Sequence, residues 1–291
     1  MWKLFQIEVY KIFRRPRTYI AFAAITALIG IVQLGLKSDG KEYAEFMMGD
    51  LGSALSIEGN LINGYFVCYI VLQLMLVHVP LLIALIAADM ISGEANMGTL
   101  RLLLTKPVSR TQFMLAKFLA SAVYTITLLV WIAIMALFVS MLIFGVDDMF
   151  ILKASYAVQI EKADVFWRYA GAFCFAALAM TTVAAIGFFL SQFAENSIGP
   201  IVATMSIIIV FTILSTMSIP LFNTIKPYLF TTHMVAWKEF FDVKVNADNE
   251  TIKGTLEHPE RIIRSSLVLL THIVTLVSVS IMFFKKKDVL S

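Results

Sequence analysis

The sequence predicts an all-α membrane protein with six transmembrane helices. Three observations carry that prediction: repeated apolar runs of spanning length, a scarcity of charge, and basic blocks just outside the first and last runs. Of 291 residues, 59% are hydrophobic and 15% charged, with a mean hydropathy of +0.84. An ordinary soluble domain carries about 25% charged residues. A soluble core could not hide repeated runs of about 20 apolar residues, whereas a bilayer can. Helices are the expected spanning form because each satisfies its own backbone in lipid, and no alternation typical of barrel strands is visible.

Residues 1–15 place Trp2, Phe5, Val9, Ile12 and Phe13 at helical spacing, with Lys3, Gln6, Lys11 and Arg14 largely on the other side. Such a helix can lie in the membrane interface until Pro16 breaks it. The basic stretch Lys11, Arg14, Arg15 and Arg17 then precedes an apolar run longer than the core of a cleavable leader. It is read as a first anchor with the N-terminus in the cytosol.

The spans fall at about 19–36, 65–88, 118–144, 169–190, 198–219 and 265–284, within one domain covering 1–291. The third is long enough to tilt or to extend beyond the lipid. Spans four and five form a hairpin across the polar break Ser191 to Ser197. With both termini inside, the cytosolic segments hold 12 of the 23 Lys and Arg. Raw counts therefore decide little, and the blocks adjoining helix ends decide more: Arg14, Arg15 and Arg17 before span one, Lys285, Lys286 and Lys287 after span six. An even number of spans puts both blocks on one side.

The outer segments are 37–64, acidic and Gly-rich; 145–168, with Asp147, Asp148, Glu161 and Asp164 among aromatic residues; and 220–264, the longest. The last is read as a membrane-proximal cap with a short helix and a turn near Asn249. A net charge of +3, scattered along the chain, gives no argument for nucleic acid. Cys68 and Cys174 lie inside apolar runs without metal-ligand spacing and read as core cysteines.

The most informative segment is the cytosolic loop 89–110. Leu100, Leu103 and Leu104 form an apolar stripe beside Arg101 and Lys106, with Gly98 before it and Pro107 after it. Ser109 and Gln112 have capping-box form, and Arg110 and Lys117 are read as headgroup residues. A surface helix held between two spans can pass force from a cytosolic partner into both.

The pattern Glu94, Gly98-Thr99-Leu100, Leu103, Pro107-Val108-Ser109-Arg110 and Lys117 resembles the second-to-third helix connection in permease subunits of type-2 ABC exporters. The ending Lys285-Lys286-Lys287-Asp288 and the stretch Tyr228-Leu229-Phe230-Thr231-Thr232 are similar to this family too. The resemblance implies six helices, an interfacial elbow helix and a cytosolic coupling helix. It also implies a multi-pass exporter subunit of a bacterial or archaeal cell membrane, both termini cytoplasmic; the few charges inside the spans suit a hydrophobic or amphipathic substrate. Glu94, Gly98, Thr99, Leu100, Arg101, Leu103, Leu104, Pro107 and Arg110 would then couple to an ATPase subunit. The assembly implied is two copies of this permease, a homodimer, with two ATPase subunits that hold ATP and Mg, surrounded by membrane lipids.

The chain itself lacks a P-loop: Gly93 to Thr99 has two glycines but no Gly-Lys. No catalytic, cofactor-binding or metal residues are expected in it. His78 and His272 are the intramembrane polar candidates, read chiefly as hydrogen-bonded packing residues. His233 and His258 are too isolated to specify a metal. Asp89 and Glu195 read as headgroup or loop residues, and Gly98, Gly187 and Gly199 as packing or hinge glycines. A passive membrane anchor or sensor is the rival reading; an intramembrane enzyme is disfavoured because neither His-Glu-x-x-His nor an identifiable nucleophile with its base occurs.

Overall fold

The structure is a computed structural model that describes residues 1–48, 62–100, 108–152, 157–244 and 251–286. Helix α1 (Trp2–Arg14) is followed by α2 (Pro16–Met48), with Arg15 extended between them at φ −86° and ψ 130°. Pro16 thus both ends one helix and opens the next, where its missing N–H costs nothing. Then come α3 (Gly64–Ala87), the short α4 (Ser92–Asn96) and α5 (Arg110–Phe144). A two-stranded hairpin, β1 (Met149–Leu152) and β2 (Ala157–Ile160), leads into α6 (Lys162–Ser191) and α7 (Ile198–Thr216). Short 3₁₀ turns, α8 (Phe230–Met234) and α9 (Pro259–Lys286) complete the chain.

Six of these helices are long and apolar enough to cross a membrane: Pro16–Gly40 within α2, and α3, α5, α6, α7 and α9 in full. The number agrees with the sequence reading, and the α6–α7 turn falls at the expected polar break. Three starts are earlier than expected, at Arg110, Lys162 and Pro259 instead of 118, 169 and 265. Hydropathy misses these turns because their charged residues are satisfied by other parts of the chain. The fifth span ends at Thr216, short of 219.

Caps set the boundaries. Asn63 accepts from the backbone N–H groups of Tyr65 and Phe66 at 3.1 and 3.0 Å, and Ser109 accepts from Gln112 N–H at 3.2 Å. Gly64 is pressed against the backbone of Met141, where a Cβ would collide. Its N–H donates to Gly145 O at 2.9 Å, so α3 begins where α5 ends.

The long third span carries a π-helical segment, Ile134–Phe138. Such a turn leaves backbone carbonyls short of their usual partners. Gln33 of α2 answers it, donating to Met135 O at 2.8 Å and to Ser140 Oγ at 2.9 Å. Trp131 Nε1 donates to Thr26 Oγ1 at 2.9 Å, so polar bonds inside the bundle fix α2 against α5.

At the end of the bundle near Asn63, the expected loop 145–168 contains the hairpin and the first turns of α6. Met149 pairs with Ile160 and Ile151 with Val158, antiparallel, with all four side chains buried. The cap over this end has the 3₁₀ stretches Pro220–Thr224, Lys226–Tyr228 and Val235–Phe241 around α8. Asn249 lies outside the described residues. Trp237 and Phe241 pack into Tyr69 at 5.5 and 5.4 Å between ring centroids, and Phe241 meets Tyr169 at 4.7 Å. Arg168, wholly buried, ion-pairs with Asp164 at 2.6 Å and donates to Phe240 O and Thr255 O, each at 2.8 Å. One guanidinium therefore fastens the cap to α6.

Candidate functional site: a buried ionic cluster beside the second loop

The opposite end of the bundle gathers charges from four elements. Glu8 and Lys11 lie one helical turn apart on α1, Glu94 is the acid of α4, and Lys117 lies two turns into α5. Lys117 Nζ sits 2.8 Å from Glu8 Oε2 and 3.1 Å from Glu94 Oε1; Lys11 Nζ sits 3.0 Å from Glu8 Oε1 and 2.9 Å from Glu94 Oε1. Two ammonium groups and two carboxylates alternate and balance. Lys117, Glu8 and Glu94 are only 1%, 2% and 4% exposed.

Thr99 Oγ1 donates to the Glu94 carboxylate, closing the segment after α4 back onto it. Burial alone would raise the pKa of Glu94, but Lys117, Thr99 and Lys11 hold it down at about 2. Burial alone would lower Lys11, yet Glu94 and Glu8 raise it above its ordinary value. Both groups therefore keep their charge.

A second knot lies next to the first. Asp89, 5% exposed just past α3, receives Arg15 Nη1 at 2.5 Å, the guanidinium of Arg17 and the hydroxyl of Ser197. The α6–α7 turn is thereby joined to the loop. Gly93 and Gly187 permit this closeness, since a Cβ on the first would strike the Asp89 carboxylate and one on the second would come within 3.2 Å of Ala88 N. At the rim, Arg110 Nη1 donates to Phe284 O at 3.1 Å and to Lys285 O at 3.0 Å, covering the terminal carbonyls of α9.

These positions revise several sequence expectations. Glu94 turns its carboxylate inward onto Lys11 and Lys117, and Leu100 is buried as well. Asp89 and Lys117 are buried ion-pair members, not headgroup residues, because Arg15 and Arg17 meet the first and Glu8 and Glu94 the second. Gly98 has φ +68°, the left-handed region expected of a glycine that bends the chain before a new segment, and Met97 beside it is exposed. Arg101, Leu103, Leu104, Lys106 and Pro107 lie outside the described residues.

His78 and His272 are not brought together. Each ring nitrogen Nδ1 faces the carbonyl one turn back, Leu74 O at 3.0 Å and Val268 O at 2.8 Å. His233 lies in the cap between Ser265 Oγ and Pro227 O, both at 2.9 Å. Cys68 is buried, but Cys174 is exposed on α6 and not in the core. No cluster of three or more His, Cys, Asp or Glu suited to a metal occurs among the described residues.

Glu8 carried no functional expectation from sequence. Its signal was an acid on the apolar side of an otherwise basic amphipathic helix, adjoining Ile12, which is itself buried. A carboxylate there demands a buried cation.

Six apolar helices of spanning length define a polytopic α-helical membrane protein. A family model described as ABC-2 family transporter protein matches residues 2–289, and the chain belongs to that family. It is a transport permease, not an enzyme by itself. No curated protein matches the chain.

Proposed function

We propose that the chain is the membrane subunit of an ATP-driven exporter, worked by a separate ATPase subunit that presses on the segment 89–110. The assembly comprises two permease copies, identical in the simplest case, and two ATPases holding ATP and Mg. Both termini and this segment face the cytosol, and the cargo is hydrophobic or amphipathic.

The observation that supports this reading is the ionic cluster around Glu94. A push on α4 meets no soft joint: Glu94 hands it to Lys117 on α5 and to Lys11 on α1, while Asp89 hands it to Arg15 and to the α6–α7 turn. Buried ion pairs hold their geometry because breaking one strands a charge. The ends of α1, α3 and α5 thus move as a unit, which is what converts closure of an ATPase pair into a tilt of the permease helices. No bond is made or broken in this chain.

The test uses Met97→Cys, an exposed position beside Gly98. In native membranes it is expected to cross-link to an ATP-hydrolysing subunit with a short bifunctional reagent, and ATP is expected to change the yield. Labelling of Met97→Cys only by an impermeant reagent from outside the cell would overturn the orientation and the mechanism together. An anchor or sensor would retain the cross-link but show no ATP-dependent cargo movement in proteoliposomes.

A further inference from the structure

Lys238 belongs to the 3₁₀ stretch Val235–Phe241 of the cap and is half buried beside Trp237, whose ring centroid lies 5.9 Å from its Nζ. Its Nζ donates to Gln73 Oε1 at 2.7 Å. Among the described residues no carboxylate pairs with it, and burial pushes its ammonium below the ordinary value with no neighbouring acid to restore it. An ammonium has three protons to give. Gln73 is its one hydrogen-bond partner among the described residues, and Gln73 stands roughly 14 Å along α3 from its start, by the helical rise. A lysine held at such depth by a neutral amide is a functional signal.

Gln73 also lines a cavity of about 210 Å³, together with Tyr43 of α2 and Phe66, Tyr69, Ile70 and Leu74 of α3. An engineered apolar cavity of about 150 Å³ already accepts benzene, so this one has room for a ring or a folded short chain. Among the described residues its wall is aromatic and aliphatic except at Gln73, whose amide oxygen accepts from Lys238 at the edge of the cavity. A smaller cavity of about 40 Å³ between α3, α5 and α6 is lined by Met75, Met180, Trp237 and other apolar residues. It offers an anion nothing to bind.

We propose that the larger cavity binds a single-chain amphiphilic anion, its acidic head between Lys238 Nζ and the Gln73 amide nitrogen, its apolar part among Tyr43, Phe66 and Tyr69. A cationic ligand would meet the ammonium, and a small hydrophilic anion would leave the aromatic wall unfilled. The head supplies the counter-charge that the chain does not, and the tail supplies the contact area. This site is independent of how an ATPase engages the other end of the bundle.

The experiment uses the full chain in nanodiscs of phosphatidylcholine, with 11-dansyl-undecanoate as the probe and tryptophan-sensitised dansyl emission as the readout. Saturable binding is expected, at least tenfold tighter than that of the corresponding primary amide, and without competition from inorganic phosphate. Lys238→Met is expected to weaken the acid at least tenfold and to leave the amide unchanged. Leu74→Trp, which fills the cavity, is expected to weaken both. Because Lys238→Met removes a tether of the cap, Gln73→Glu provides a second variant: it gives Lys238 a built-in carboxylate, preserves the tether and excludes the anion. Equal binding of acid and amide by the wild type would overturn the proposal. So would undiminished binding of the acid by Lys238→Met, Gln73→Glu or Leu74→Trp, or displacement of the probe by phosphate.

Discussion

The two ends of the bundle are held together by different physics. Around Glu94 and Asp89 the contacts are ionic and join elements distant in sequence: α1, α4, α5 and the α6–α7 turn. Around Tyr69 and Phe241 the contacts are mainly ring against ring, with the Arg168–Asp164 pair as the charged anchor. Ionic contacts are directional and fail all at once when one partner goes. Aromatic contacts are graded, each worth about 0.5–1.5 kcal/mol beyond burial. The difference suits one end to transmit a displacement whole and the other to hold a folded cap.

The sharpest way to break the comparison is Lys117→Met. It leaves the buried carboxylates of Glu8 and Glu94 to share Lys11 alone, and a loss of about 3–5 kcal/mol is expected. Thermal unfolding of the detergent-solubilised protein, followed by size-exclusion fluorescence, measures it. Adding Glu8→Gln should recover part of the loss, whereas two additive losses would show that the cluster does not act as a unit.

Next is Arg168→Leu, which leaves Asp164 without its cation and two cap carbonyls without a donor. A loss of about 2–4 kcal/mol is expected from the stranded charge and orphaned acceptors. Limited proteolysis should cut the cap between Asp242 and His258 faster, while the Glu94 end stays intact. Equal loosening of both ends would deny that they are separate units.

Acid gives a further reading of the Glu94 end. Glu94 has a folded pKa held at about 2, below its ordinary 4.5. Its contribution to stability is therefore full above the ordinary value and is lost as pH falls through that value toward the folded one. Acidification across this window should loosen the α1–α4–α5 contacts, read by hydrogen exchange at those helices. Glu94→Gln should flatten that part of the profile.

The smallest effect is expected of Gln33→Leu, which removes an interhelical bond from the π segment. About 0.5–1.5 kcal/mol is the scale for such a bond in a membrane bundle. A loss above that range in the same unfolding assay would mean that the π turn depends on Gln33 for its existence.

Much of this architecture was legible from hydropathy. Six runs, the Ser191–Ser197 break and the Ser109 cap are local features, readable from one stretch at a time. The hairpin was missed because Met149-Phe150-Ile151-Leu152 is apolar throughout and shows no alternation, and four-residue strands give a weak signal beside 20-residue spans. Lys117 and Asp89 looked like interface residues because a charge at the edge of an apolar run normally faces headgroups. Only their distant partners, Glu8 and Arg15 among them, place them inside.

The sequence by itself determined that the chain crosses the membrane six times, since the transfer of a 20-residue apolar helix into lipid depends only on its own residues. It also marked the loop 89–110 as a place of interest. Tertiary structure alone decided which charges are buried, where Gln33 is needed and that Lys238 meets Gln73. Each of those depends on two groups far apart in the chain, and burying a charge or leaving a carbonyl unpaired is tolerable only when its counterpart arrives.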